Sequence, residues 1–192
     1  MEKSADLSLL MVGTSFKNSP IAFRESLFRH FSAPKVRELI HNLPHVGESV
    51  LLTTCNRVEA YFATKSVTST SQAFFNLVNR LAVLRPDWFY EYEGIETITH
   101  LFSVSSGFDS MVLGEEQIME QVRETSTAER LAGHSKAVLS ALFDASYNAG
   151  RRIRSQSKEG SDSSVSAFAL KFALRKLEIG RASCRERVYV LV

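Results

Sequence analysis

The sequence has few cysteines and lacks long apolar runs. It has 192 residues but only two cysteines, Cys55 and Cys184, so no disulfide framework is expected and a reducing compartment is the default. No run of about 18 apolar residues occurs, and the N-terminal apolar run of about six residues is too short for a signal peptide or a membrane span. We therefore expect a cytoplasmic protein without membrane contact.

An excess of charge of one sign is also absent. The formal net charge is only +2, which excludes a global surface for polyanions and leaves nucleic-acid contact to a local patch. The densest basic patch is AGRRIRSQSK, residues 149–158, on a predicted helix. It could bind phosphates or simply favour the helix dipole, and the sequence leaves both open. A hydrophobic content of 44% suffices for the core of one sizeable domain, with or without an appendage.

The first half of the chain is typical of a small unit of strands and helices. Apolar and β-branched runs predict four strands, and apolar residues at helical spacing predict three helices, two of which follow prolines. Ser19 is predicted to cap the first helix, and residues 66–71 to form a polar loop. The strands are expected at 7–15, 48–55, 58–64 and 87–94, and the helices at 21–31, 35–43 and 71–84.

The stretch from about residue 95 is mixed, and from Glu115 the pattern becomes strongly helical. The first half has the order β-α-β-β-α-β, which is that of the split ferredoxin-like sandwich. The predicted fold class is therefore α+β, a ferredoxin-like sandwich followed by a helical segment. The later helices are expected at about 95–104, 115–133, 135–157 and 163–177, with a glycine-punctuated loop at 107–114.

Cys55 stands at the end of a predicted strand, in the stretch LLTTCNRVEAYFAT. The thiolate is the reactive form of cysteine, and a nearby cation such as Arg57 favours it. On a strand the two side chains would share a face, whereas at a strand end either geometry is possible. Thr53 and Thr54 could donate hydroxyls to a bound carbonyl or carboxylate. The alternative is a structural cysteine beside a surface arginine, since free cysteine packs like a small hydrophobe.

His100 is a second candidate, as a general acid or base or as a group that orients a substrate carbonyl. A helix histidine that faces solvent would look the same in sequence. Of the other four histidines, His41 and His45 are separated by Pro44, which prevents a shared helix face. No cysteine lies close to that pair, so the sequence shows no zinc-ligand spacing.

A third candidate is the stretch SGFDSMVLGEEQIMEQVR, residues 106–123. Glu115 and Gln117 stand at a predicted helix start and Gln121 follows one turn later, so that together with Ser110 they could line a small polar cavity. Such groups suit the ammonium and amide groups of an amino-acid ligand. An ordinary capped helix with a polar outer face is the alternative.

These motifs occur together in the order seen in one known family. TTCNRVEAY resembles the nucleophile motif of the glutamyl-tRNA reductases, and GFDSMVLGEEQIMEQVR resembles their second signature. VGTSFKNSPIAFRE is similar to the family's N-terminal strand–loop–helix, and YNAGRRIRSQS to the connection to its long helix. The resemblance covers about residues 8–176. Two positions depart from it, since Phe16 replaces a histidine and Glu116 a common proline.

The resemblance implies roles for the candidate residues. Cys55 corresponds to the cysteine that attacks the activated glutamyl ester and forms a thioester, and His100 to a histidine important for activity. An aminoacyl ester is already activated, so a thiolate can displace the tRNA 3′ end without a strong acid. A planar guanidinium such as that of Arg57 matches a carboxylate in bidentate fashion. The residues implied to hold the glutamyl group are Thr54, Asn56, Arg57, Ser110, Glu115, Glu116, Gln117 and Gln121.

The implied reaction is the NADPH-dependent reduction of glutamyl-tRNA to glutamate-1-semialdehyde, the first step of tetrapyrrole biosynthesis. The family binds NADPH on a domain with a GxGxxG turn, and no such turn follows Gly160. We therefore expect no reduction by this chain alone, and a monomer or weak self-association where the family forms dimers. Glutamyl-tRNA and glutamate-1-semialdehyde aminomutase are the implied partners. The alternative is a non-catalytic ferredoxin-like module that binds tRNA or a protein.

Three segments are expected along the chain. Residues 1–155 would form the catalytic domain, and residues 156–177 the start of the linker helix. The tail EIGRASCRERVYVLV, residues 178–192, is what a common sequencing-adapter DNA would encode at its start, so we expect it to be non-native.

Overall fold

The structure is a computed structural model that describes residues 7–82, 85–110 and 116–156. These ranges contain four strands, six α-helices and one 3-10 turn. Their bounds are β1 Ser8–Ser15, α1 Ile21–Ser32, α2 Pro34–His41, β2 Val46–Thr53, β3 Arg57–Thr64, α3 Val67–Leu81, the 3-10 turn Pro86–Trp88, β4 Tyr90–Glu93, α4 Gly94–Ser105, α5 Glu116–Leu131 and α6 Ala137–Gln156.

The four strands form one antiparallel sheet in the order β2-β3-β1-β4. β1 pairs with β3 along its whole length, from Ser8 opposite Thr64 to Ser15 opposite Arg57, and with β4 on its other side. β2 and β4 are the edge strands. This order, with every neighbouring pair antiparallel, is that of the ferredoxin-like sandwich. The predicted α+β fold class is confirmed.

Helices cover both faces of this sheet because the side chains of each strand alternate between the faces. On one face Leu10 and Val12 pack with side chains of α1, α2 and α3. On the other face Leu9 and Met11 pack with side chains of α4, α5 and α6. A strand buried on both faces is apolar throughout, which explains the continuous apolar run of β1. The predicted helical segment therefore forms a third layer on the sheet.

Two local predictions are wrong because buried hydroxyls find partners that the sequence does not show. Ser19 does not cap α1, since its hydroxyl is engaged within the preceding loop and the cap residue is Pro20. Residues 67–71 form the start of α3 rather than a loop. The buried hydroxyl of Thr70 donates to the carbonyl of Pro44 at 3.0 Å, so it is satisfied within the helix.

The aromatic stretch at 87–94 is a shorter strand than predicted. Only Tyr90–Glu93 is extended in the sheet, and the preceding residues form a 3-10 turn. The rings of Trp88 and Phe89 contact Phe23 of α1 edge-on, with centroid distances of 4.8 and 5.9 Å. Packing against α1 thus overrides the strand preference of these aromatic residues.

The helical second half agrees with prediction as far as the structure describes it. The helices predicted from about residues 95, 115 and 135 are present as α4, α5 and α6. The helix predicted at 163–177 and the tail at 178–192 lie outside the described residues, so the three predicted segments remain predictions. No helix in the described ranges has the length and apolar character needed to cross a membrane.

Candidate active site

Cys55 lies in the tight turn between β2 and β3 and not on a strand. The turn is closed by the Thr54 N–H, which donates to the Arg57 carbonyl at 2.8 Å. The Thr54 hydroxyl oxygen accepts from the N–H groups of Asn56 and Arg57, at 3.2 and 3.1 Å. The Phe16 N–H donates to the Asn56 carbonyl at 2.9 Å and ties the turn to the end of β1. These bonds define the backbone of the turn while the thiol of Cys55 is exposed.

The thiol opens onto a cleft of about 390 Å³ between this turn and α1. Arg24 is buried at the cleft, where its Nη1 donates to the carbonyl of Ser19. Its Nε is buried and has no hydrogen-bond partner among the described residues. A buried guanidinium nitrogen without an acceptor is costly. The cleft is lined by Arg24, Glu25, Phe28, Arg29, Thr54 and Cys55.

A buried polar network lies behind the turn, on the face of the sheet covered by α4. Its centre is the carboxylate of Glu59 on β3. One oxygen accepts from Arg57 Nη1 at 2.8 Å and from the Tyr90 hydroxyl at 2.6 Å, and it lies 2.9 Å from Nε2 of His100. The other oxygen accepts from the Tyr61 hydroxyl at 2.7 Å. The network joins β3, β4 and α4, and its members are oriented by one another.

Asp109 attaches the segment after α4 to the same network. Its carboxylate accepts from Arg57 Nη1 at 3.1 Å, and its main-chain carbonyl accepts from Arg57 Nη2. The other carboxylate oxygen pairs with the Nζ of Lys17, in the loop after β1. With a side chain only 1% exposed, Arg57 is a buried cation held by two carboxylates.

The charges of this network stabilise one another. Burial by itself raises the pKa of Glu59, but the Arg57 guanidinium and the His100 imidazole outweigh it and hold that pKa well below its usual range. Burial lowers the pKa of Arg57, but Glu59, Tyr90, Asp109 and Tyr61 together outweigh burial and raise that pKa above its usual value. Burial and the Glu59 carboxylate raise the pKa of Tyr61 and of Tyr90. Glu59 is therefore ionised at neutral pH, and both tyrosines are neutral donors.

Gly13 of β1 provides the space that Glu59 occupies. Gly13 stands opposite Glu59 in the β1–β3 register. A Cβ atom at Gly13 would lie 2.6 Å from Cγ of Glu59 and 3.0 Å from the carbonyl oxygen of Val58. The absence of a side chain on β1 thus lets a carboxylate enter the sheet interior.

The structure divides the sequence-predicted site residues between the cleft and the network. Thr54 and Cys55 line the cleft. Arg57 and His100 belong to the network, so Arg57 and Cys55 do not share a face. The fork of Arg57, expected to pair a substrate carboxylate, is already paired with Glu59 and Asp109. Asn56 is half-buried in the turn.

The residues predicted from the second signature are described only in part. Ser110 is half-buried at the end of one described range, and Glu115 lies outside the described residues. Glu116 begins α5, and its side chain is not described. Gln117 is exposed and Gln121 half-buried on α5. The next residues along the chain, Ile118 and Val122, are buried in the core between α5 and the sheet.

Sequence reasoning missed the residues that organise the site: Glu59, Asp109, Tyr90 and Arg24. One signal was available, since Glu59 is a charged residue inside a strand and shares its face with Arg57, two residues earlier. A charge at such a position needs a buried partner. Strand alternation points to Arg57 and Tyr61 as partners, but no pattern along the chain indicates Tyr90 or His100, which lie on other elements.

Comparison with known proteins identifies the domain. Residues 12–157 match the sequence model of the family described as "Glutamyl-tRNAGlu reductase, N-terminal domain". The chain belongs to the glutamyl-tRNA reductase family. This confirms the resemblance found in the sequence motifs, and Cys55, the cleft and the Glu59 network all lie within the matched residues.

Individual glutamyl-tRNA reductases agree with this match. That of Xanthomonas axonopodis pv. citri is 33% identical over 172 residues, which cover 87% of this chain and 39% of that protein. That of Xylella fastidiosa is 31% identical over 169 residues, which cover 87% and 38%. The solved structure of the enzyme from Methanopyrus kandleri has a TM-score of 0.66 at 28% identity and covers 80% of this chain and 35% of that one. The chain thus spans less than two fifths of these relatives.

The glutamyl-tRNA reductase family implies NADPH, and the described residues do not fit this cofactor. A dinucleotide site needs parallel strands with a glycine-rich turn that leads into a helix. The described sheet is antiparallel throughout, and the sequence contains no GxGxxG. We therefore assign no step through NADPH to these residues.

Proposed function

We propose that this chain supplies the acyl-accepting part of a glutamyl-tRNA reductase, with Cys55 as the nucleophile. The observation that carries the proposal is the exposed thiol on a hydrogen-bonded turn beside an arginine-lined cleft, in a domain of this family. A structural cysteine would be buried among apolar side chains, whereas Cys55 is exposed. Exposure is also what a thiol needs to reach an ester at the end of a tRNA.

In the proposed step the Cys55 thiolate attacks the carbonyl carbon of the glutamyl ester. A sulfur–carbon bond forms, and the carbon–oxygen bond to the terminal ribose breaks. The ribose oxygen takes a proton from solvent, so the products are a glutamyl thioester and free tRNA. Arg24 and Arg29 line the cleft, and their positive charges would attract a carboxylate of the glutamyl group.

The network behind the turn has a positioning role in this proposal. Arg57 follows the turn directly, and its guanidinium is held by Glu59 and Asp109. His100 contacts the same carboxylate of Glu59. In this proposal Arg57 and His100 hold the turn and the segment after α4 in fixed positions relative to each other. Neither residue attacks the substrate or transfers a proton at the thiol.

The remainder of the reaction belongs to the longer enzyme to which this chain corresponds. There the thioester would be reduced to glutamate-1-semialdehyde with hydride from NADPH, the first step of tetrapyrrole biosynthesis. The substrate glutamyl-tRNA, a dimer partner, the aminomutase and a cytoplasmic location remain predictions from the family resemblance. So do the substrate contacts of Thr54, Asn56, Ser110, Glu115, Glu116, Gln117 and Gln121.

A covalent labelling experiment tests the proposed step. Purified chain is incubated with tRNA charged with radiolabelled glutamate, without NADPH, and acid-precipitated label that thiols release is counted. We expect about one label per chain at saturation for the unaltered protein. We expect none for Cys55→Ser, because an alkoxide is not formed at neutral pH without a strong base.

The second cysteine provides the matched control. Cys184→Ser should be labelled like the unaltered chain. Equal labelling of Cys55→Ser, or no label on any variant while the tRNA is still bound, would contradict the assignment of the nucleophile. The second of these results would instead favour a tRNA-binding module.

A further inference from the structure

A second polar cluster lies at the β2 edge of the sheet, among residues not used in the proposed reaction. His41 is the last residue of α2, Glu129 lies near the end of α5, and His134 lies in the turn after α5. One carboxylate oxygen of Glu129 is 3.3 Å from Nε2 of His41 and 2.8 Å from Nδ1 of His134. One ligand atom from each residue can be chosen so that all three lie within 4.8 Å of one another. We propose that these three residues bind a divalent transition-metal ion, with zinc as the fitting ion.

The second observation is the burial of the His41 side chain. The side chains of His41 and Glu129 are 4% and 2% exposed. The Nε2 atom of His41 is buried and makes no well-formed hydrogen bond among the described residues, and its nearest polar contact is the Glu129 carboxylate oxygen at 3.3 Å. A buried ring nitrogen without a partner is destabilising. A metal ion between the imidazole and the carboxylate would satisfy it.

The surroundings orient the proposed ligands as they do in known metal sites. Nδ1 of His41 is hydrogen-bonded to the hydroxyl of Ser49 on β2. With Nδ1–H as the donor, Nε2 carries the lone pair that faces Glu129. The second oxygen of Glu129 is engaged by Arg37 and by the N–H of Leu51. Such outer partners, which fix the ring tautomer and hold the carboxylate, accompany most histidine–carboxylate metal sites.

The ligand set and spacing suit zinc. Two imidazole nitrogens and one carboxylate oxygen are ordinary zinc ligands, at about 2.0–2.2 Å, with water as a fourth. The observed separations of 2.8 and 3.3 Å are close to the roughly 3.4 Å expected between ligands around a tetrahedral zinc. The two imidazoles are stacked, with centroids 3.5 Å apart and planes 17° from parallel, so one ring must turn for both lone pairs to converge. His134 can do so, since it is 33% exposed and follows Gly133 in a turn.

A metal at this position would join the two helical layers across the sheet edge. α2 belongs to the layer on one face, and α5 to the layer on the other. β2 is the edge strand between them, and its Ser49 N–H donates to the carbonyl of His134 at 3.0 Å. The site would therefore be structural. It is independent of the proposed reaction at Cys55.

Zinc titration tests the proposal with the chain freed of competing thiols. The tag-free Cys55→Ser/Cys184→Ser protein is titrated with Zn²⁺ by calorimetry, and Co²⁺ absorption reports the coordination. We expect one Zn²⁺ per chain with a Kd in the micromolar range or below, and a rise of the unfolding temperature on binding. Adding His134→Ala should weaken binding at least tenfold. His134 is the variant of choice because it is partly exposed in a turn and its removal leaves the core intact.

His30→Ala in the same background is the matched control, since His30 lies on α1 and outside the cluster. It should bind zinc like the parent protein. His41→Ala should weaken zinc binding as much as His134→Ala does, once circular dichroism has shown that it is natively folded. Absence of stoichiometric binding by the parent, or binding that survives His134→Ala unchanged, would overturn the site. Glu129 would then be a buried carboxylate held by Arg37, the two histidines and the N–H of Leu51.

Discussion

Glu59 is the residue on which the interior of the candidate site depends. Its carboxylate is the shared partner of Arg57, Tyr61, Tyr90 and His100. A buried ion pair contributes little beyond a hydrophobic replacement, but removal of one partner leaves the other charge buried and uncompensated. A substitution of Glu59 alone should therefore lower the stability of the folded protein.

Glu59→Gln tests this dependence. The amide keeps the size of the side chain but removes the charge opposite Arg57, so we expect a loss of roughly 3 kcal/mol in the free energy of unfolding. Urea unfolding at pH 7, followed by circular dichroism, measures it. Glu93→Gln, at an exposed position of β4, should change stability by less than about 0.5 kcal/mol. Equal small effects of both changes would show that the network carries no net stability.

At the scale of elements, the crossing of α4 and α6 depends on the lack of a side chain at Gly150. A Cβ atom there would lie 2.7 Å from the carbonyl oxygen of Ser105 and 3.2 Å from its carbonyl carbon. One helix turn earlier, the carbonyl of Ser146 accepts from the Ser105 hydroxyl at 3.0 Å. The two helices thus meet backbone to backbone, and neither can yield by a rotamer change.

Gly150→Ala is therefore expected to destabilise the protein although alanine favours helix. The steric cost of about 1–3 kcal/mol exceeds the propensity gain of about 1 kcal/mol, so the unfolding temperature should fall. Asn148→Ala, exposed on the same helix, receives the propensity gain without the clash and should raise it slightly. Thermal unfolding of the parent, Gly150→Ala and Asn148→Ala proteins measures the three unfolding temperatures. A Gly150→Ala protein that melts above the parent would contradict the close crossing.

At the scale of the whole molecule, the Glu59 network makes the free energy of unfolding depend on pH in the acidic range. Both layers pack on one sheet, so global unfolding exposes Glu59 and returns its pKa to the ordinary value of about 4.3. In the folded protein that pKa is lower, because the pairing with Arg57 and His100 outweighs burial. The stabilisation from Glu59 is then complete above the unfolded-state pKa and is lost progressively as the pH falls towards the folded-state pKa.

The difference in unfolding free energy between the parent and Glu59→Gln should accordingly shrink with acid. We expect the full difference from pH 7 down to about pH 5 and a clearly smaller one at pH 3. Urea unfolding at these three pH values, at constant ionic strength, gives the comparison. A difference that stays constant to pH 3 would mean that the Glu59 carboxylate does not have a lowered pKa in the folded state.

Much of the fold was predictable because its signals are local. The apolar run of β1, the alternation in β3 and the helical spacing of α4, α5 and α6 are properties of contiguous residues. The errors lie where a distant partner decides. Thr70 enters α3 because Pro44 accepts its hydroxyl hydrogen bond, and Trp88 leaves the strand for Phe23 of α1.

By itself, the sequence determined the ferredoxin-like order of elements, the motif around Cys55 and the family, since all three are written in runs of neighbouring residues. Only the tertiary structure decided that Arg57 faces Glu59 and Asp109 instead of the thiol. The tertiary structure also places His41 next to His134, although the sequence shows no metal-ligand spacing. The physical reason is that buried charges and ring nitrogens take most of their partners from other elements, as Arg57 takes Asp109 and Glu59 takes His100. Those pairings depend on how helices and strands pack and not on the spacing of residues along the chain.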